Sequence, residues 1–343
     1  MNTDSKQKSS WQWRQSGVFL ALLAALFTAF IFTIDTQVMT NVIKHDQRLI
    51  AVLVYLTLGS WIGVVFNYIY NHLFARHLDP TFTRERVFSG KSGLYVMAAG
   101  VSAGLGTFSY LFVAGKGDPS VLIALSTLSV VYLALYDGVK TRGTKLLKGT
   151  LAALMCVTGV ALVSYTGTLN GTAQTIPLTD ILLVAVAFSG FDTVAMICMG
   201  KLAEAKEDMV SAAFWRFFWL SVTATVLSPI VASSYGYFSE YARLMGLVFW
   251  KAFPWVLLLM FFAYGGNVLT ALAQKFEKAS TVKVVKNTQS LLAVPLTLLF
   301  AWLLPDMFDV PAWGPVWVWR MLGGTLIMLA IWLVPKKKKD EDS

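Results

Sequence analysis

The stretch GVFLALLAALFTAFIFTIDTQVMTNVI at residues 17–43 decides the fold, because it is a long apolar run broken by a single charged residue, Asp35. A helix of about 20 apolar residues spans the ~30 Å of hydrocarbon in a bilayer. The run is too long for the apolar core of a signal peptide, and it lacks a small-residue cleavage site. We therefore expect it to be retained as a first membrane helix.

Runs of the same kind recur along the whole chain. They fall at roughly 17–43, 48–74, 92–115, 119–139, 147–167, 179–200, 209–233, 246–274, 279–304 and 314–335. Each run must be helical, since unpaired backbone groups are too costly in hydrocarbon, and the alternating segments of a membrane barrel are missing. Only 14% of the residues are charged, against about 25% in an average soluble domain. The sequence therefore predicts an all-α membrane protein with ten transmembrane helices.

The distribution of Lys and Arg predicts the orientation, because cytoplasmic loops keep an excess of both. With the N terminus inside, most of the 28 Lys and Arg residues fall in cytoplasmic segments. The opposite side holds only Lys44, Arg48, Lys116, Arg243, Lys251 and Arg320, and Arg216 lies within the seventh run. We expect both termini in the cytoplasm. The net charge of +9 then reflects loop topology, and nucleic acid is excluded as a partner.

A weak internal repeat divides the chain into two halves. Three short patterns recur in order about 160 residues further along: Asp35-Thr36 as Asp192-Thr193, Ser120-Val121 as Thr281-Val282, and Gly149-Thr150-Leu151 as Gly324-Thr325-Leu326. The predicted organisation is an N-terminal tail at 1–16, a first five-helix repeat at 17–167, an external linker at 168–178, a second repeat at 179–335 and a tail at 336–343. Because five is odd, the two repeats have inverted topology, which is typical of alternating-access carriers.

This arrangement resembles the drug/metabolite transporter superfamily. The stretch from Tyr132 through Asp137-Gly138, Lys140, Leu147, Gly149 and Gly159 to Val163 is similar to the end of the first repeat in the EamA-like branch. The acidic residue that often ends the fourth and ninth helices is Asp137 in the first half and is absent from the second. Lys286-Asn287 resembles, more faintly, the nucleotide-sugar and triose-phosphate branch, in which a lysine of the ninth helix reaches a substrate phosphate.

The resemblance implies a carrier of small organic metabolites that works by export or exchange. It also implies a cavity lined by helices one to four and six to nine. Helices five and ten would be peripheral, at the place where a homodimer contact would form. The lipid bilayer and a small-molecule substrate are the other expected partners.

Ionisable residues inside the apolar runs are the main site candidates, since each costs at least a few kcal/mol unless it is paired or hydrated. Asp192 and Arg216 form either a structural ion pair or an inner gate with a proton-linked carboxylate. Lys283 and Lys286, at i and i+3, share one face of a helix and either bind an anionic group or snorkel to the cytoplasmic headgroups. Asp35, near the outer end of the first run, is either a hydrated gate residue or a proton carrier.

Polar and aromatic residues at mid-depth are weaker candidates. Asn267 and Asn287 offer hydrogen bonds to a ligand or to a neighbouring helix. Tyr110 and Tyr264 either line a cavity or pack. The glycine pairs Gly100/Gly104 and Gly265/Gly266 indicate close approach between helices.

Enzyme signatures are missing: the sequence has no H-E-x-x-H, no G-x-S-x-G, no phosphate loop and no Cys/His cluster with metal-ligand spacing. We therefore expect no catalytic residues, no metal and no cofactor.

The predicted function is export of a small polar organic metabolite by alternating access, driven by protons or by exchange. An exchanger of anionic phosphorylated metabolites or nucleotide sugars is the alternative within transport, and a membrane-embedded enzyme or accessory subunit for lipid-linked substrates is the alternative from another class. The short loops favour a bacterial inner membrane.

Overall fold

The computed structural model describes residues 16–43, 48–114, 128–141, 144–165, 183–303 and 316–333, and these contain helices and no strand. The helices are α1 (Gly17–Gln37), α2 (Arg48–Tyr70), α3 (Gly90–Ala114), α4 (Leu128–Thr141), α5 (Thr144–Tyr165), α6 (Ser189–Glu204), α7 (Met209–Ser234), α8 (Phe238–Phe276), α9 (Ala279–Lys286), α10 (Gln289–Leu303) and α11 (Val316–Leu333). Single π-helical segments extend α1 at Val38–Val42 and α2 at Asn71–Ala75, and one precedes α6 at Leu183–Phe188. A further helix of three residues, Arg76–Leu78, follows the segment Asn71–Ala75. The predicted linker at 168–178 and the predicted tails, apart from Ser16, lie outside the described residues.

A helix lies in each of the ten predicted runs. Within the described ranges, six stretches are long and apolar enough to cross a membrane: Gly17–Asp35, Leu49–Leu78, Gly90–Phe112, Val186–Glu204, Met209–Ser234 and Phe238–Phe276. The prediction of an all-helical protein of membrane type is thus confirmed for this part of the chain.

Side-chain caps fix where two of these helices begin. The Ser16 hydroxyl accepts a hydrogen bond from the Phe19 amide at 3.3 Å, at the start of α1. The Asp208 carboxylate accepts one from the Val210 amide at 3.0 Å, at the start of α7. Such caps satisfy N–H groups that have no partner inside the helix. Both helices therefore begin at the residue where the predicted apolar run begins.

The ninth run differs from its prediction, because it forms two helices instead of one. α9 ends at Lys286, the turn Asn287-Thr288 follows, and α10 begins at Gln289. The Thr288 hydroxyl donates to the Val285 carbonyl at 2.9 Å, and this bond competes with the regular helical ladder.

Helix packing brings most of the helices around a common centre. The main pairs are α1 with α8, α9 and α10, α2 with α7 and α8, α3 with α6 and α7, α4 with α5, α6 and α9, α5 with α11, and α7 with α8. The Ser221 hydroxyl donates to the Ser60 carbonyl at 3.0 Å, and that of Ser228 donates to Leu53 at 3.3 Å. Because the later residue of α7 meets the earlier residue of α2, these two helices run antiparallel.

Two of the predicted glycine contacts are close helix approaches. A Cβ added to Gly100 of α3 would lie 2.5 Å from the Arg216 carbonyl oxygen of α7, and one added to Gly265 of α8 would lie 2.4 Å from the Phe27 ring of α1. Only a residue without a side chain lets the backbones come this near. The prediction of close packing at Gly100 and Gly265 is confirmed.

Polar contacts join the segments at one end of the bundle. The Ser92 hydroxyl donates to the Glu207 carboxylate at 2.6 Å, and the Arg86 amide donates to the Ser211 hydroxyl at 2.9 Å. Lys275, near the end of α8, forms an ion pair with Asp79, which follows α2. At the start of α1, a Cβ added to Gly17 would lie 3.0 Å from the Ala273 carbonyl oxygen of α8. The start of α1 and the 79–92 and 205–211 segments therefore lie on the same side as the end of α8, as the distribution of Lys and Arg predicts.

Candidate functional site

A cavity of about 210 Å³ lies at the centre of the bundle, among α1, α2, α3, α6, α7, α8, α9 and the first residue of α10. No described residue of α4, α5 or α11 lines it, although the fourth helix was expected to contribute. Most of the candidates from the sequence do line it: Asp35, Tyr110, Asp192, Arg216, Asn267, Lys283 and Lys286. Residues that are far apart in the sequence thus line one polar cavity inside apolar helices.

Lys283 and Asp192 form an ion pair with 2.6 Å between Nζ and Oδ2. Lys283 retains only 5% of its exposed surface, so its amine does not snorkel to the headgroups. Of the two alternatives for Lys283, the structure agrees with the one in which it faces the cavity. The partner of Asp192 in an ion pair is Lys283 of α9, instead of Arg216 of α7 as one alternative expected.

Arg216 instead donates from Nη1 to the Asn267 side-chain oxygen at 3.2 Å. Its Nε is buried and has no hydrogen-bond partner among the described residues. The neutral amide of Asn267 orients the guanidinium but does not neutralise its charge. Arg216 is therefore a fixed cation with spare donor capacity at the cavity wall.

Lys286 lies one turn after Lys283 and lines both the cavity and a small adjoining pocket that includes Arg216 and Gln274. No hydrogen bond or ion pair of Lys286 occurs among the described side chains. Asp192 is the one carboxylate beside Lys283, Lys286 and Arg216 among the described residues, so a single negative charge faces three positive ones. This end of the cavity is electropositive.

Asp35 lies at another part of the cavity wall, where its Oδ1 accepts a hydrogen bond of 2.5 Å from the Tyr55 hydroxyl. It retains 6% of its exposed surface, so it is a buried residue of the cavity wall. Tyr55 was not among the candidates from the sequence. A signal was available, because Tyr55 is about as far from the start of the second run as Asp35 is from the end of the first.

Three aromatic rings meet beside Asp35. The ring of Tyr110 packs edge-on against Phe32, with centroids 5.0 Å apart, and lies 5.7 Å from the ring of Phe188. All three residues line the cavity. The Tyr110 hydroxyl is buried without a hydrogen-bond partner in the described part of the chain, which leaves it available to a bound molecule.

Two candidates from the sequence lie away from the cavity wall. The ring of Tyr264 packs against that of Tyr70, with centroids 5.5 Å apart. The Asn287 amide donates to the Cys156 sulfur of α5 at 3.6 Å. Both side chains serve helix packing, because the local backbone turns them toward neighbouring helices. Across the described ranges, no group of three His, Cys, Asp or Glu residues could hold a metal ion.

No family model and no curated protein matches the chain. Solved structures do resemble it. One of them, described only as "Crystal structure of protein", has a TM-score of 0.56 and 13% sequence identity, and the match covers 96% of this chain and 100% of that one. At this identity the likeness concerns the fold alone. The chain therefore shares its helical architecture, over nearly its whole length, with a protein of solved structure.

Proposed function

We propose that the protein is a secondary transporter that moves a small polar organic metabolite across a membrane by alternating access. The observation that carries this proposal is the central cavity, which brings two carboxyl groups and three cationic side chains together inside apolar helices. Ionisable groups at membrane depth are costly, and they occur mainly where they face a substrate or ion pathway. A hydrophilic passenger explains their presence better than packing does.

The packing pattern supports two inverted repeats of five helices, at 17–167 and 179–335. Each helix of the first repeat has a counterpart in the second: α6 for α1, α7 for α2, α8 for α3, the α9–α10 pair for α4, and α11 for α5. When counterparts are exchanged, the α1–α8 contact becomes the α3–α6 contact, and the α2–α8 contact becomes the α3–α7 contact. The contacts α2–α7, α5–α11 and α4–α9 map onto themselves. The antiparallel direction of α2 and α7 agrees with the inversion. Such repeats let a carrier exchange its outward-open and inward-open shapes around one site.

Membership of the drug/metabolite transporter superfamily, in its EamA-like branch, is part of the proposal. It is supported by the residues between Tyr132 and Val163 and by the position of α5 and α11, which pack on each other away from the cavity wall. That surface is where we would place a homodimer contact. The proposed location is a bacterial inner membrane with both termini in the cytoplasm, and export by proton coupling or exchange is the proposed mode.

The size of the cavity restricts the substrate. About 210 Å³ is below the ~300–1,000 Å³ of pockets that take drug-sized ligands. A metabolite with few heavy atoms fits this volume.

A second candidate function, exchange of small anionic phosphorylated metabolites, is favoured by one observation. Arg216, Lys283 and Lys286 face the cavity with Asp192 as the one described carboxylate beside them, so positive charge is in excess. Cationic groups in a dry site attract phosphate strongly. A sugar phosphate of few carbons would satisfy both the charge and the volume.

Transport into sealed vesicles tests the proposal. The purified protein is reconstituted into liposomes that are preloaded with unlabelled metabolite, and uptake of the labelled compound is followed. We expect accumulation with the native protein and loss of accumulation with Lys286→Met, because this change removes a cavity charge. Lys251→Met, at an exposed position of α8, is the matched control and should transport normally. Chemical conversion of the compound without accumulation would instead indicate a membrane enzyme.

A further inference from the structure

We propose that the transported metabolite is an elongated zwitterion, with its anionic group at Arg216 and Lys286 and its ammonium group at Asp35. The inference rests on the transport function proposed above and specifies the substrate class of the same cavity. It follows from where the charged side chains lie relative to α1, which lines the cavity from Thr28 to Asp35.

The anion-binding end lies level with Thr28. Arg216 donates to Asn267, and the neighbouring residue, Gly266, is close enough to α1 that an added Cβ would lie 3.3 Å from the Thr28 hydroxyl. The guanidinium is therefore held near the Thr28 level of α1. Its buried Nε has no described partner, and Lys286 lines the same pocket.

The ammonium-binding end lies seven residues further along α1. At ~1.5 Å per residue, Asp35 is about 10 Å from the Thr28 level. Tyr55 donates to Oδ1 of Asp35, and no described side chain donates to Oδ2. A carboxyl group with one anchored oxygen and a second oxygen to which no described side chain donates suits an ammonium group, which brings donors and no acceptor.

Apart from the charged side chains, the amides of Asn267 and Gln289 and several hydroxyl groups, the cavity wall is apolar. Phe32, Tyr110 and Phe188 form its walls near Asp35. The unpartnered Tyr110 hydroxyl can donate to a carbonyl in the middle of a ligand. A narrow ligand whose backbone carries few amide bonds suits this part of the cavity.

Length then selects among zwitterions. Each ionic contact takes up about 3 Å, so charges about 10 Å apart on the wall leave room for ligand charges roughly 5 to 10 Å apart. An extended dipeptide spans about 7 Å, and a tripeptide spans about 10 Å. An ω-amino acid with a chain of similar length has the same chemistry. The charges of an α-amino acid are too close together to reach both ends at once.

Calorimetric binding to the detergent-purified protein tests the charge requirement on the unmodified chain. The probes are glycine, diglycine, triglycine, 6-aminohexanoate, N-acetyldiglycine and diglycine amide. We expect diglycine, triglycine or 6-aminohexanoate to bind at least about 10-fold more tightly than glycine, and either cap to weaken diglycine binding by about 10- to 100-fold. Capped forms that bind as tightly as diglycine, or glycine that binds as tightly as the longer probes, would overturn the proposal.

Variants then assign each end. Asp35→Asn should remove the preference for diglycine over N-acetyldiglycine and keep the preference for diglycine over diglycine amide. Lys286→Met should remove the preference for diglycine over diglycine amide and keep the preference for diglycine over N-acetyldiglycine. Lys251→Met should keep both preferences. Should either variant fail to fold, the cap series on the native protein still decides the matter.

Vesicle uptake separates this proposal from the transport function on which it rests. If the vesicles accumulate a simple anion and no zwitterion binds, transport stands and the zwitterion proposal fails. If diglycine binds with both charge requirements but is never accumulated, the ligand class stands and the transport function fails.

Discussion

Lys283 and Lys286 lie one turn apart on α9, yet their surroundings give them different roles. The amine of Lys283 is 2.6 Å from the Asp192 carboxylate, so its charge is compensated within the fold. Lys286 has no such partner among the described residues and faces the cavity. Since an uncompensated charge is costly at this depth, Lys286 is the lysine to which we assign a ligand and Lys283 the one to which we assign a structural role.

A double-mutant cycle at Lys283 and Asp192 should show strong coupling. We expect Lys283→Met and Asp192→Asn each to lower the free energy of unfolding by roughly 3 kcal/mol. This is the lower end of the range for breaking a buried pair, because the Asp192 side chain keeps 24% of its exposure. The double variant should lose less than the sum, by about 0.5–3 kcal/mol, since neither single charge is then left alone. Denaturation in mixed micelles measures the three values.

The exposed pair Lys201–Glu204 on α6, with its charged atoms 2.7 Å apart, is the control for that cycle. Its coupling should stay near or below about 0.5 kcal/mol, because water screens exposed ion pairs. Equal coupling in the two cycles would show that burial does not strengthen the Lys283–Asp192 pair.

At the scale of helices, Gly100 sets the distance between α3 and α7. Gly100→Ala should lower the free energy of unfolding by about 1–3 kcal/mol, because the new methyl group would overlap the α7 backbone and push the helices apart. Gly246→Ala on α8 is the matched control, since nothing lies within 4 Å of its added Cβ. Alanine is favoured over glycine inside a helix by roughly 0.5–1 kcal/mol, so the control should be neutral or stabilising. Thermal unfolding in detergent compares the two, and equal effects would contradict a close contact at Gly100.

The ion pair between Asp79, which follows α2, and Lys275 of α8 makes the contact between these two helices sensitive to acid. Burial opposes ionisation of Asp79, but hydrogen bonds from Lys275 and Thr81 outweigh it and lower the pKa of Asp79 below its ordinary value of 3.8. A carboxyl group with a lowered folded-state pKa stabilises the fold above its unfolded-state pKa and loses that contribution as pH falls toward the folded-state value.

Stability should therefore decrease below about pH 4, and Asp79→Asn should remove part of that decrease. The variant should also melt at a lower temperature than the native protein at pH 7, where the ion pair is fully formed. Melting curves recorded between neutral pH and pH 3 in an uncharged detergent test this. A variant whose curve keeps the native acid dependence would show that other carboxyl groups are responsible.

At the scale of the whole molecule, the two ends of the bundle should face opposite sides of the membrane. Thr83 lies in the segment after α2, beside the start of α1 and the end of α8, whereas Ser239 lies at the opposite end, at the start of α8. In inside-out vesicles, we expect a membrane-impermeant thiol reagent to label Thr83→Cys and not Ser239→Cys. Right-side-out vesicles should give the opposite result. The parent protein controls for background, because Cys156 and Cys198 are both buried.

Labelling of both positions from the same side would rule out the bundle topology. Labelling of Ser239→Cys from the cytoplasmic side, with Thr83→Cys reached from outside, would keep the topology and reverse the predicted orientation.

The sequence by itself determined the helices, because a membrane imposes one simple requirement on every spanning segment. About 20 apolar residues without unpaired backbone groups form a helix whatever its neighbours are, so the runs at 17–43 and 209–233 gave the right elements. The same requirement made Asp35, Asp192 and Lys286 visible as candidates, since each is an exception to it.

Only the tertiary structure decided which of those residues meet. The pairing of Asp192 with Lys283, of Arg216 with Asn267 and of Asp35 with Tyr55 joins residues from different helices. Each pairing depends on the rotation and depth of both helices, which are set by contacts such as that of Gly100 on α7. The turn at Asn287-Thr288 likewise aims Asn287 at α5 and away from the cavity. Apolar runs carry little information on rotation, because nearly every face of a lipid-bathed helix is hydrophobic, and the site therefore emerges only when the helices pack.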